Sequence, residues 1–98
     1  MYRVVFTFEV DAGSVDEYLR LTREQIKPYW EEHGCEAYDI FANDAEPTKF
    51  LKIMIFKDAD SMRRSLGLTK TEPECQRIIG LFRTYARNPQ SATYVLRT

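Results

Sequence analysis

The segment Lys49-Phe50-Leu51-Lys52-Ile53-Met54-Ile55-Phe56 constrains this chain more than any other stretch. Its length and its β-branched and aromatic content read as a strand over residues 49–57. Successive side chains of a strand point to opposite faces. Leu51, Ile53 and Ile55 therefore share one face; Phe50, Met54 and Phe56 share the other, with Lys52 among them. A sheet with one wet face is polar on that face. This strand is apolar on both, so both sides of its sheet need a cover.

The remaining elements supply half of that cover. Tyr2, Val4, Phe6, Phe8 and Val10 alternate with Arg3, Val5, Thr7 and Glu9, which predicts a first strand over residues 2–10. Ser14 with Glu17 reads as a capping box opening a helix to about residue 33. Val15, Tyr18, Leu19, Thr22, Ile26, Tyr29, Trp30 and His33 form its apolar stripe. Pro28 falls outside that stripe and is expected to bend the helix. Gly34 suits the left-handed position that ends it. A second strand is expected over 35–42, then a polar turn at Asn43-Asp44-Ala45-Glu46-Pro47.

After the third strand, Asp58 is placed to cap a short helix carrying Met62 and Leu66, with Gly67 interrupting it. Thr71 with Glu74 reads as another capping box, with Pro73 in the first turn. Cys75, Ile78, Ile79, Phe82, Tyr85 and Ala86 then form a helical stripe that Asn88-Pro89 ends. Residues 92–97 alternate weakly as a fourth strand. The order strand–helix–strand–strand–helix–strand predicts an α+β, ferredoxin-like domain over residues 1–98 with a four-stranded antiparallel sheet. Two helices cover only one side of such a sheet. The other side calls for a second copy, so the chain is expected to be a homodimer paired through its sheet faces.

Composition narrows the partners. The 98 residues leave room for one domain, and the formal net charge of −1 supplies no field to attract a polyphosphate. An RNA-recognition domain shares this element order, but its third strand needs a glycine and base-stacking aromatics at a spacing that Lys49 to Phe56 lacks. No apolar run approaches membrane-spanning length and no leader pattern opens the chain. Cys35 and Cys75 form no metal or redox motif and read as buried thiols. These features predict a cytoplasmic protein without nucleic-acid or membrane partners.

The candidate site lies along the first helix. His33, the only histidine, reads either as a general base or a haem or metal ligand, or as a histidine stabilised by the helix C-terminus. Tyr18, Tyr29 and Trp30 share its stripe, and Tyr38 follows on the next strand. Such a cluster either packs the core or lines a pocket for a flat ligand. The pocket reading predicts a cavity lined by Trp30, Tyr38 and His33. Arg63, Arg64, Lys70, Arg77, Arg83 and Arg87 make the second half basic, but helical spacing does not gather them on one face.

Two segments, together with the order of elements from end to end, carry a family likeness. Glu32-His33-Gly34-Cys35-Glu36-Ala37-Tyr38-Asp39-Ile40-Phe41, and Phe50 to Phe56 followed by Asp58, resemble the antibiotic-biosynthesis-monooxygenase-like family of dimeric α/β barrels. The resemblance implies sheets paired back to back and a pocket between helices and sheet. Some relatives oxidise quinol-like aromatics with dioxygen and no cofactor; others bind or degrade haem. Relatives often carry a histidine in the helix after the third strand, where this chain has Ser61-Met62-Arg63-Arg64-Ser65-Leu66-Gly67. The Asn…Trp…His arrangement of the haem-degrading branch is also missing, so haem has no motif here. The resemblance implies a small-molecule-binding protein that oxygenates a flat, quinol-like aromatic without cofactor or metal. His33 would take a phenolic proton; Trp30, Tyr29, Tyr38 and Tyr18 would hold the ring. The alternative is a non-enzymatic ligand-binding, haem-binding or interaction module of the same fold.

Overall fold

A computed structural model describes residues 1–98. The elements are β1 (Tyr2–Glu9), α1 (Val15–Leu21), a π-helical turn (Thr22–Ile26), α2 (Lys27–Glu32), β2 (Ala37–Ala42), β3 (Lys49–Phe56), α3 (Ala59–Thr71), α4 (Pro73–Tyr85) and β4 (Arg87–Val95). The sheet runs β2-β3-β1-β4, with every neighbouring pair antiparallel. This is the α+β, ferredoxin-like arrangement expected from the pattern. No helix is long and apolar enough to cross a membrane.

β1 and β3 are central, and their register sets the two faces. Val4 pairs with Met54, Phe6 with Lys52 and Phe8 with Phe50. Val4, Phe8, Phe50, Met54 and Phe56 are buried beneath the helices with Tyr18, Ile26, Tyr29, Trp30, Cys75, Ile78 and Phe82. Lys52 is buried on that same side, at 4 % exposure. Val5, Leu51, Ile53 and Ile55 sit on the opposite face and remain half-buried. Phe41 and Tyr94 extend that face at its edges and are 52 % and 59 % exposed. Ile53 has Asp39 and Val5 as neighbours, and Leu51 has Phe41 and Thr7.

Local signals succeed where one residue decides the outcome. Gly34 has φ of 102°, as a left-handed helix terminus requires, and the Cys35 amide behind it bonds back to the Trp30 carbonyl at 3.0 Å. Asp58 caps α3 by accepting the Ser61 amide at 2.7 Å. The Asn43 side chain accepts the amides of Ala45 and Glu46, which closes the turn before β3.

Several expectations need correction. Ser14 makes no side-chain cap, because a 3₁₀ turn at Ala12–Ser14 already feeds the helix. The second capping box also fails: the N-cap of α4 is Glu72, and its side chain makes no capping bond. Gly67 does not interrupt α3, which runs through it; an exposed glycine costs only about 1 kcal/mol against alanine. Asn88-Pro89 lies inside β4, after α4 has ended at Tyr85. Asn88 has φ of 51° at the point where the β1–β4 register shifts, and β4 is an edge strand, so the proline is tolerated.

Pro28 acts through the turn that precedes it. A proline ring clashes with the carbonyl four residues back and offers that carbonyl no N–H. Here the preceding turn is widened to a π-helix, and the Lys27 amide bonds to Thr22. The helix continues through this local widening. With the turn already held by buried Thr22 and Ile26, Pro28→Ala is expected to be neutral or stabilising in urea denaturation. A loss above about 1 kcal/mol would show that packing depends on the widened turn.

Candidate functional site

One row of the sheet organises the site. Ile40, Lys52, Phe6 and Ser91 lie side by side across β2, β3, β1 and β4. Strand alternation places all four on the helix side, because Lys52 is there. Above this row is a cavity of about 320 Å³. Phe6, Lys52 and Met54 form its floor, and Trp30 enters from α2. Leu66 and Thr69 of α3, and Ile78, Phe82 and Arg83 of α4, form the roof. Pro89 and Ser91, both exposed on the β4 edge, mark the mouth together with exposed Arg83. No carboxylate lines the cavity.

Lys52 is the chemically distinctive member. Its Nζ lies 4.0 Å from the Phe6 ring centre, 3.7 Å from that of Phe82 and 5.3 Å from that of Tyr38. It forms no ion pair, and no carboxylate offsets the loss of water around it. Burial therefore pushes its pKa down to about 7. The aromatic faces moderate the cost of the protonated form without supplying a counter-charge. A neutral amine at physiological pH is a base and a nucleophile, which an exposed lysine is not.

The residues singled out along the first helix divide. Trp30 lines the cavity. Tyr38 is fully buried beside it, and only its ring face approaches Lys52. Tyr18 is buried deeper, edge-on to Phe8 and Phe50. The hydroxyls of Tyr18, Thr22 and Tyr38 are buried together, facing one another and no other polar group. Burial raises Tyr18 to about 12 and pushes Tyr38 well above its ordinary value.

Of the expected lining of Trp30, Tyr38 and His33, only Trp30 borders the cavity; Tyr38 is buried beside it, and His33, like Tyr29, lies outside it. α2 ends at Glu32, and His33 sits at its C-terminal cap, just ahead of the left-handed Gly34. Its ring stacks on Tyr29 at 4.1 Å, and its Nδ1 bonds to the Tyr29 carbonyl at 2.7 Å. Tyr29 donates its hydroxyl to Glu72 at 2.8 Å, and His33 Nε2 lies 3.8 Å from the same carboxylate. These three tie the end of α2 to the junction of α3 and α4. The two cysteines are free and buried, and burial raises both thiols. No group of three or more His, Cys, Asp or Glu side chains is placed to hold a metal.

A wider hollow of about 580 Å³ lies towards one end of the sheet, among Thr7, Phe41, Leu51, Lys49 and Gln90. It is larger than the helix-side cavity but is an open depression without a buried titratable group. The helix-side cavity is the better candidate for chemistry.

A sequence profile built from known proteins matches residues 1–78, well over half of the chain. The chain belongs to the antibiotic biosynthesis monooxygenase family. The segment matched to the family holds Trp30 and Lys52 and stops within α4, before Phe82, Arg83 and Ser91. No functionally curated protein matches the sequence. Among solved structures, an antibiotic biosynthesis monooxygenase is 22 % identical over all of both chains, with a TM-score of 0.75. A variant of SnoaB, a cofactor-independent oxygenase from Streptomyces nogalater, is 14 % identical over 99 % of this chain and 93 % of its own, with a TM-score of 0.81. A conserved protein from Methanosarcina mazei Go1 is 20 % identical over 98 % of this chain and 92 % of its own, with a TM-score of 0.78. At such identities these likenesses establish the family fold.

Buried Lys52 makes stability depend on pH in a definite direction. Between about pH 7 and 10.5 the unfolded lysine carries a proton that the folded one has released. The unfolded state then binds more protons, so stability rises with pH through this window and is flat at its lower level beneath it, where both states are protonated. The shift corresponds to roughly 3–5 kcal/mol across the full window. The raised thiols of Cys35 and Cys75 act oppositely from about pH 9, their ordinary value. Urea denaturation between about pH 6 and 8.5 should therefore show a gain that Lys52→Met lacks. Parallel curves for the two proteins would mean that Lys52 keeps its proton in the fold.

Proposed function

We propose that this chain binds a flat, phenolic aromatic between its helices and sheet and oxidises it with dioxygen without a cofactor. The observation that carries this reading is an amine without a counter-ion facing an apolar, aromatic-walled cavity. Trp30, Phe6 and Phe82 offer flat surfaces to a ring system. Lys52, rather than His33, is the group placed to take the phenolic proton. The phenolate is the electron-rich form that donates to dioxygen, and the ammonium formed beside it rests on the faces of Phe6 and Phe82. SnoaB, of the same fold, is a cofactor-independent oxygenase, which supports the reaction class without naming the substrate.

Oxygen uptake with a panel of hydroquinones tests this. Lys52→Met is expected to lower turnover by at least about 100-fold, the scale of a lost general base. Ligand-induced changes in the emission of Trp30 should persist in that variant. His33→Ala, outside the cavity, is expected to change turnover only a few-fold. Ligand-dependent Trp30 emission with no oxygen consumed by any hydroquinone would favour a binding protein over an oxygenase.

The working unit is a homodimer in this reading, closed over the face that carries Val5, Phe41, Leu51, Ile53, Ile55 and Tyr94. Such a patch is rarely left open on a soluble monomer, and a two-fold pairing covers both copies with the same residues. The two buried, unpaired thiols fit a reducing compartment such as the cytoplasm. Light scattering after size exclusion is expected to give twice the chain mass. Ile53→Asp, on the open face, should yield a folded monomer, whereas Met54→Asp, under the helices, should fail to fold. A wild-type mass matching one chain would remove the dimer.

A further inference from the structure

We propose that Lys52 is also a carbonyl-capturing residue, forming an imine with flat aromatic aldehydes or ketones that enter the helix–sheet cavity. Three observations meet at this side chain. It is buried among rings, with its Nζ over Phe6 and Phe82. It faces a cavity of about 320 Å³ whose lining includes no acid, so nothing in the fold holds it as a paired ammonium. The chain's other four lysines, Lys27, Lys49, Lys57 and Lys70, lie nearer the surface; Lys27 and Lys49 are engaged with carboxylates. Desolvation in an apolar pocket is the circumstance that turns a lysine into a nucleophile, and its lowered pKa agrees with that reading.

The step balances without an oxidant or a cofactor. The Nζ lone pair forms a bond to the carbonyl carbon, and the carbonyl electron pair moves to oxygen. A proton passes from nitrogen to that oxygen, giving a carbinolamine. Loss of the hydroxyl with a second nitrogen proton releases one water and leaves the C=N bond. Thr69 and Ser91 are the hydroxyl-bearing residues of the same lining. The apolar walls limit the water that would reverse the step. The inference shares its cavity with the oxygenase reading but does not depend on that reaction.

The test is reductive trapping on the whole chain. Benzaldehyde or 2-naphthaldehyde is added near pH 7 with sodium cyanoborohydride, and the product is read by intact mass and peptide mapping. Among the lysines, a single adduct on Lys52 is expected, formed more than about tenfold faster than on any other lysine, with the α-amine of Met1 mapped separately as its own peptide. Its rate should rise through pH 7 while the exposed lysines stay slow. Lys52→Arg, which keeps the charge, should take no adduct at that position. Lys52→Met should take none either, while 2-naphthol still perturbs its Trp30 emission. Labelling spread over the lysines according to exposure, or no Lys52 adduct with either aldehyde, would overturn the inference. Oxygen uptake on hydroquinones is measured separately, so an adduct without uptake, or uptake without an adduct, assigns each failure to its own proposal.

Discussion

The structure rests on two central strands that need covering from both sides. β1 and β3 pair along their whole length, and their register commits Val4, Phe8, Phe50, Met54 and Phe56 to the helices. A chain with this topology carries its helices on one side of the sheet only. Everything else follows from that imbalance: the packed helical layer, the half-buried face of Val5, Leu51, Ile53 and Ile55, and the position of Lys52 beneath the helices.

Lys52 is where packing becomes chemistry. A charged group in an apolar row costs free energy unless a counter-ion or hydrogen bonds offset it. The rings of Phe6 and Phe82 offset part of the cost, and release of the proton removes most of the rest. The same burial that makes the residue a liability for stability makes its amine available near neutral pH. His33 shows the converse. Its Nδ1 is taken by the Tyr29 carbonyl and its ring by stacking, so it serves the joint between α2 and the start of α4. Distance from the cavity decides its role more than its intrinsic acidity.

Some features were legible because one residue settles them. Gly34 reads as a left-handed terminus, Asp58 as a helix cap, and the alternation in β1 and β3 as a two-faced sheet; each is decided by local sterics or by a period of two. The capping boxes at Ser14 and Thr71, and the helix break at Gly67, misled because neighbouring backbone overrode them. The 3₁₀ turn at Ala12–Ser14 and the bulge at Asn88 are set by how the chain must reach its next partner. The site followed the same division. Trp30 was visible as part of an aromatic stripe, whereas Lys52 carried a quieter signal, a lone lysine in register with Phe50, Met54 and Phe56.

By itself, the sequence determined the element order, the ferredoxin-like class and the need to cover two faces of one sheet, because patterns of two and 3.6 residues are properties of the chain. Only the tertiary structure decided which face of β3 the helices take. That choice depends on how strands pair and on where α4 returns, neither of which a local pattern encodes. The choice buried Lys52 rather than exposing it, joined it to Trp30 and Phe82 from distant segments, and left His33 outside. A residue's solvation is set by what surrounds it in space, so the pKa and the reactivity of that lysine belong to the fold.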